Sequence, residues 1–291
     1  MHQIGKGIFF EDSFLGVTLG GMVFSHGIIY IDSPLRIEDA RNWRSALLSQ
    51  RGGNQRLLIN LDSHPDRTLG ARSLDCTIVA HQKTAQVFRN RPSIFKGQSL
   101  ESGAAWEDYS EAIGMRWATP DITFTQMMSL HWGGPEVILE YHPGPTSGAS
   151  WVIIPDERVI FLGDSLVVGQ PPFLASADLV AWLNSLEILM TTYKDFTMIA
   201  GRGGAANYES VQILQQGIKN TLKHLEKLAK HHAPPESTDD FISTLMSDFA
   251  VPEEKQGRYL QRLSYGLYQF YSRRYRPSST VDSLRSDESE Q

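Results

Sequence analysis

The sequence predicts an α/β protein, on three observations. Short apolar runs closed by glycine or polar turns alternate with segments whose apolar residues recur every three or four positions. The chain is long enough for one large domain and a small appendage: 291 residues, 41% of them apolar, with six Trp and thirteen Phe to fill a core. Four polar clusters stand directly after apolar runs, where an open α/β sheet gathers its ligand-binding loops.

The first strands are read at 14–19, 22–24 and 28–31, separated by Gly20-Gly21 and by Ser25-His26-Gly27. Ile37, Ala40, Trp43 and Leu47 then share one helix face, with Gly52-Gly53 as the expected C-terminal stop. Strands follow at 56–61 and 76–80, with a polar loop over 62–72 between them, and then a helix over 81–90. Residues 91–130, rich in Gly, Ser and Pro, read as loops and short helices, a candidate lid. A strand at 136–141 precedes a hairpin whose arms, 151–154 and 159–162, flank Pro155-Asp156-Glu157-Arg158. Ser176 is placed to cap a helix bearing Leu179, Leu183, Leu186 and Met190, and 196–200 reads as the last strand. A long helix carries Val211, Leu214, Ile218, Leu222 and Leu225; lysines near its C-terminus suit the helix dipole, and Pro234-Pro235 stops it. Two further helices carry Phe241, Leu245 and Phe249, then Leu260, Leu263, Leu267 and Phe270. The domains are therefore drawn at 1–232, a helical extension at 236–276, and a disordered Ser/Asp/Glu-rich tail at 277–291.

Charge and composition exclude several classes. A net charge of −6 argues against a nonspecific nucleic-acid binder. A single cysteine, Cys76, excludes an intrachain disulfide and a Cys-rich zinc site. No apolar run approaches the ~20 residues of a membrane helix, and the first residues lack the apolar core of a signal peptide. A cytoplasmic protein with no membrane partner is expected. Arg258, Arg262, Arg273, Arg274 and Arg276 make the last helix basic, which reads as a solvated face. Its Tyr259, Tyr265, Tyr268 and Tyr271 exceed one buried stripe, which points to core packing or to a homodimer through this helix.

The four clusters are Asp62-Ser63-His64-Pro65-Asp66-Arg67, then His142-Pro143-Gly144-Pro145-Thr146-Ser147-Gly148, then Gly163-Asp164, and Gly201-Arg202-Gly203-Gly204. Their order and spacing resemble the metallo-β-lactamase superfamily over roughly residues 8–230. In that family an apolar strand leads into His-x-His-x-Asp-His, a Gly-x-His-Thr-x-Gly loop precedes a hairpin ending in Gly-Asp, and Gly-His-Gly follows. Here Ile28 to Pro34 resembles the early strand and turn. The resemblance implies a four-layer αββα sandwich of two mixed β-sheets, with a C-terminal helical extension.

The resemblance also implies a metal centre, and there this chain departs from the pattern. Asp62 and Arg67 stand where the first and third histidines would, Pro145 replaces the loop histidine, and Arg202 replaces the last. His64, Asp66 and Asp164 keep their identity. Proline has no side-chain donor, and a guanidinium cannot coordinate a cation. Three aspartates in one cleft would repel one another, whereas Arg67 and Arg202 can bridge them bidentately. A salt-bridge cluster is therefore expected in place of a dinuclear metal centre, with no cofactor.

The leading functional expectation is a noncatalytic member that binds a small anionic ligand through Arg67, Arg202 and the amides of Gly201, Gly203 and Gly204. The rival is a hydrolase of an ester, thioester, lactone or phosphoester with one Zn, Mn or Fe ion on Asp62, His64 and Asp164, and Asp66 as the base. Beside both stand plainer readings: Asp164 as a turn cap, and His64 as an ordinary hydrogen-bonded histidine. His81 and His142 are placed near the cleft with structural roles. His26, His131 and His224 are read as incidental.

Overall fold

The computed structural model describes residues 1–97 and 102–276. A seven-stranded sheet runs in chain order: β1 (His2–Gly5), β2 (Ile8–Glu11), β3 (Leu19–Val23), β4 (Gly27–Ile31), β5 (Gln55–Asn60), β6 (Thr77–His81) and β7 (Ile122–Phe124). Its first four strands are antiparallel neighbours and β4 to β7 are parallel. The second sheet comprises β8 (Met127–Leu130), β9 (Val137–Tyr141), β10 (Ser150–Ile154), β11 (Val159–Phe161), β12 (Thr197–Ile199) and β13 (Ala205–Ala206). It is antiparallel except where β12 lies parallel to β11. Both sheets are mixed, and with helices outside them the predicted α/β sandwich is present.

Strand alternation explains the layers. Ile29 and Ile31 of β4, with Ile59 of β5, meet Val152, Ile154 and Phe161 from the second sheet in the central core. Their neighbours Ile28, Tyr30 and Leu58 face outward, onto Ala40, Trp43 and Leu47 of α1 (Ile37–Leu48). Both faces are covered, so these strands read as continuous apolar runs rather than alternating ones. The outer face of the second sheet, including Trp151, Ile153 and Ile160, packs on Trp182 and Leu186 of α4 (Leu179–Thr191) and on Leu214 and Ile218 of α5 (Tyr208–Lys230). Leu245 of α6 (Ile242–Ser247) and Leu263, Leu267 and Phe270 of α7 (Gln256–Tyr275) enter the same core. The 236–276 segment is thus built into the outer helical layer. The 277–291 tail reading lies outside the described residues.

Several local expectations change. The strand expected over 14–19 starts at Leu19, and β2 was missed because its Ile8-Phe9-Phe10 run is only three residues long. Gly52-Gly53 does not stop α1; Arg51 takes the left-handed conformation instead (φ 60°), and Gly53 lies where a Cβ would sit 2.3 Å from the Ser25 carbonyl oxygen. Residues 62–72 contain α2 (Pro65–Thr68), started by Pro65 and capped by His64, followed by a 3-10 turn. Asp178, not Ser176, caps α4 by accepting from the amides of Val180 and Ala181. The 91–130 stretch contains β7 and β8, whose three and four residues are too short to show a period.

The sheets are joined where the functional loops emerge. The Gly201 amide donates to the carbonyls of Gly163 (2.8 Å) and Leu166 (2.9 Å), and its own carbonyl accepts from the Thr18 amide (2.8 Å). A Cβ on Gly201 would lie 2.2 Å from the Gly163 carbonyl carbon, an approach only glycine allows. Gly201→Ala should destabilise the fold by about 1–3 kcal/mol in chemical denaturation. Gly257→Ala, in α7 with nothing within 4 Å of its added methyl, should be neutral or stabilising by up to about 1 kcal/mol. Equal effects at the two positions would contradict the close-approach argument.

Candidate functional site

Four loops carry charge to one end of the sandwich. Asp32 follows β4 in the left-handed region (φ 59°). Asp62, His64, Asp66 and Arg67 follow β5, Asp164 follows β11, and Arg202 follows β12. α2 turns Asp66 and Arg67 inward, and both are fully buried.

Arg67 is the centre. Its Nη1 donates to Asp32, its Nε lies 2.9 Å from Asp62 and its Nη2 2.5 Å from Asp164. The Nε and Nη2 approaches are charge contacts outside hydrogen-bond alignment, as expected when three carboxylates crowd one planar fork. Arg202 forms a second node: Nε donates to Asp164 (3.0 Å), Nη1 to Asp66 (2.8 Å) and Nη2 to His64 Nδ1 (3.2 Å). The carboxylates also close the loops. Asp32 accepts from the Leu61 amide (3.0 Å), Asp62 from the His64 amide (2.7 Å), and Asp66 from the amides of Ala105 (2.9 Å) and Trp106 (2.8 Å).

Burial and charge set the protonation states. Burial pushes Asp32 up to about 7, against the pull of Arg67, and burial with the Asp164 charge raises Asp62. Asp164 faces both guanidinium groups, which outweigh burial and hold it well below the usual carboxylate range. The Arg202 charge, with hydrogen bonds from Arg202 and the Ala105 amide, lowers Asp66 against its burial. Burial, reinforced by Arg202, drives His64 down to about 3, so the ring is neutral. Its Nδ1 also accepts from the Asp66 amide (3.3 Å), so the network assigns the remaining proton to Nε2.

The expected salt bridges from Arg67 or Arg202 to Asp66 or Asp164 are present: Arg67 reaches Asp164, and Arg202 reaches both. Other expectations change. Arg67 is fully enclosed, Gly201's amide is taken as described, and Gly204's donates to Thr18 Oγ1 (3.1 Å), so these groups cannot reach a ligand. Asp66 holds three donors and has no exposed surface, which removes it as a base for water. His142 stacks on Trp151 (3.5 Å between centroids) and pairs with Glu140, and His81 caps α3 (Gln82–Asn90). Arg262 is not on a solvated face: it is buried against Phe173 and donates to Gln170 Oε1 and to the carbonyls of Pro171 and Gly103. Tyr259 and Tyr271 are core residues of this chain, whereas Tyr268 is exposed. Asp32 was read only as part of an early turn; its one signal was an aspartate set directly after an apolar strand and before Ser33-Pro34. Among the described residues, no group of three or more His, Cys, Asp or Glu side chains is arranged to hold a metal ion.

Removing Arg67 strands three buried carboxylates, so Arg67→Ala should cost about 3–5 kcal/mol. Arg202→Ala should cost less, about 2–3 kcal/mol, because Asp66 keeps its two amide donors. Urea denaturation of both variants checks the order. The pH profile follows from groups in the cluster that oppose one another, His64 on one side and Asp32 with Asp62, which is also raised, on the other. His64 contributes stability present above its unfolded 6.5 and lost as pH falls toward about 3. Asp32 contributes stability present below its unfolded 3.8 and lost as pH rises through about 7. Thermal stability should therefore not climb between about pH 4 and 6.5, and should drop steeply below about 3.8, where Asp66 and Asp164 also take up protons. In Asp32→Asn one of the opposing slopes is gone, and the slope of Tm against pH in that range should be more positive than in the parent. An unchanged slope would refute this assignment.

A family model of the metallo-β-lactamase superfamily matches residues 64–201. No curated protein matches the chain. Among solved structures, the DIM-1 metallo-β-lactamase superposes with a TM-score of 0.59 at 14% identity, covering 75% of this chain and 96% of that one. A metallo-β-lactamase from Pontibacter korlensis gives 0.53 at 15% identity, covering 72% and 99%. The stereoselective inverting sec-alkylsulfatase Pisa1 from Pseudomonas sp. gives 0.69 at 12% identity; the match takes in 97% of this chain and only 51% of the sulfatase. At these identities the likeness is one of fold. No described helix is long and apolar enough to cross a membrane. With its two mixed sheets, its flanking helices and the family match over the loops at their ends, the chain carries a metallo-β-lactamase superfamily domain.

Proposed function

We propose that this chain is a noncatalytic member of the superfamily, in which a guanidinium–carboxylate cluster stands in place of the dinuclear metal centre, and that it acts as a binding protein for a small anionic ligand. The observation that carries the reading is Arg67, fully buried among Asp32, Asp62 and Asp164. The donor set does not fit a metal ion. His64 Nδ1 already accepts from Arg202 and the Asp66 amide, and the network gives Nε2 a proton rather than a lone pair. Asp62 and Asp164 turn their oxygens toward guanidinium groups that carry permanent charge. A cation entering this set would have to displace two buried arginines.

The same geometry supports the noncatalytic reading. A general base must reach a water molecule with a free lone pair. Asp66 has no exposed surface, and neutral His64 with Nε2 protonated offers the cleft a donor.

Elemental analysis of protein purified without added metal or chelator tests the reading. Well under one transition-metal ion per chain is expected, with no turnover of esters, thioesters, lactones or phosphodiesters in added zinc, manganese or iron. A tightly bound ion near one per chain, with metal-dependent turnover lost in His64→Ala, would establish the one-metal hydrolase instead.

A further inference from the structure

We propose that the cleft beside the ion cluster binds a small organic anion, a carboxylate or phosphate head on a short apolar tail, recognised by Arg91, Arg262, His64 and Thr146 rather than by Arg67 and Arg202. This rests on the reading of the buried cluster as closed, which takes Arg67 out of any ligand's reach. All four residues line one cleft of about 280 Å³.

Three features of its wall point to an anion. First, among the described residues, Arg91 and Arg262 have no carboxylate partner. Arg91 donates to the Ser63 carbonyl (2.8 Å) and lies over the Trp117 ring (4.7 Å). Arg262, 3% exposed, has only neutral acceptors, and its Nε has no partner. Burial and the nearby Arg202 charge lower it to about 9, so a negative charge placed here would be strongly attracted. Second, the cluster's geometry turns His64 Nε2–H, on a ring 14% exposed, into a fixed donor at the cleft. Third, Thr146 Oγ1 is buried without a hydrogen-bond partner. A buried hydroxyl without a partner is costly and suits a site that a ligand completes.

Electrostatic layering makes the site selective. Asp164 itself lines the cleft, but its oxygens are taken by Arg67 and Arg202, and the carboxylates behind it face guanidinium groups and backbone amides, so the cleft meets mainly donors. Four carboxylates in the cluster are balanced by four arginines once Arg91 and Arg262 are counted. An anionic head therefore enters a wall of donors without facing an unpaired carboxylate. Trp106, Phe173 and Leu174 supply apolar wall for the tail, and the small volume keeps that tail short.

Calorimetric titration of the full chain with hexanoate and with phenyl phosphate tests this, using hexanol and phenol as uncharged controls. Saturable binding of at least one acid is expected, with no binding of either control and weakening as salt rises. Hexanoate alone would make the ligand a carboxylate, phenyl phosphate alone a phosphate. Affinity should fall tenfold or more in Arg91→Gln and severalfold in Thr146→Val, while Arg258→Gln, a surface arginine paired with Asp108, leaves it unchanged. Arg262→Gln serves as a further variant where circular dichroism shows it folded. No saturable binding at millimolar concentration, or binding that Arg91→Gln and Thr146→Val leave intact, overturns the proposal. Metal content measured on the same sample reports separately on the closed-cluster reading: metal-free protein that binds no acid fails this inference and the anion-binding part of the proposed function, and leaves the closed, noncatalytic cluster standing.

Discussion

The structure of this site depends on burying one guanidinium among three carboxylates. Taking Arg67 and its partners out of water costs several kcal/mol per ion, and their attraction offsets that only with close, multiple contacts. Asp32, Asp62 and Asp164 come from three loops on two different sheets. Arg67 can satisfy them only if those loops converge, so the ion cluster and the packing of the two sheets at this end hold together or fail together. Arg202 extends the same constraint to the loop after β12 and to His64. Its cost is visible in the proton balance, since burial raises Asp32 and Asp62, with a neighbouring aspartate charge adding to each, while Asp164, shared by both arginines, stays ionised.

Much of this was legible in the sequence, and the parts that were not share a physical cause. The strands buried on both faces are unbroken apolar runs, so β4, β5, β10 and β11 could be placed nearly to the residue. Short edge strands such as β8 and β13 carry too few residues to show any period. In the site, Asp62, His64, Asp66, Arg67, Asp164 and Arg202 stood out because they interrupt apolar patterns at strand ends. The fate of the two arginines followed from charge alone, since three buried aspartates need cations. Asp32 was hidden because an aspartate before Ser33-Pro34 looks like any turn residue. Arg262 was misjudged for a different reason. Helical periodicity places it among other arginines on α7, and only the tertiary packing of Phe173 and Tyr259 on its guanidinium encloses it.

That enclosure gives α7 a part in the site. Seen from the sequence, the C-terminal helices are an appendage. In the fold they cover one side of the cleft and supply Arg262, and they share their apolar core with α4 and α5. A cleft lined from β-strand loops on one side and from a helix on the other can be closed to water more fully than an open strand-end crevice. Donors inside it therefore act through a lower effective dielectric.

The choice of arginine over an apolar filling follows from what the aspartates do for the backbone. Asp32 satisfies the Leu61 amide, Asp62 the His64 amide, and Asp66 the amides of Ala105 and Trp106. Replacing the carboxylates by apolar groups would leave four backbone donors of two loops buried without partners, each at about 1–3 kcal/mol. The carboxylates are thus fastenings of the loops as well as charges in a cleft. While they remain, some cation must face them. A metal ion could supply that charge only with free lone pairs around it, and Asp32, Asp62 and Asp66 already spend lone pairs on backbone amides. Two guanidinium groups fit among them. Each spreads one charge over a planar fork, reaches two or three carboxylates at once, and keeps its proton at any pH the fold survives. The result is a site whose electrostatics are fixed by covalent side chains, with His64, Arg91, Arg262 and Thr146 lining the cleft beside it.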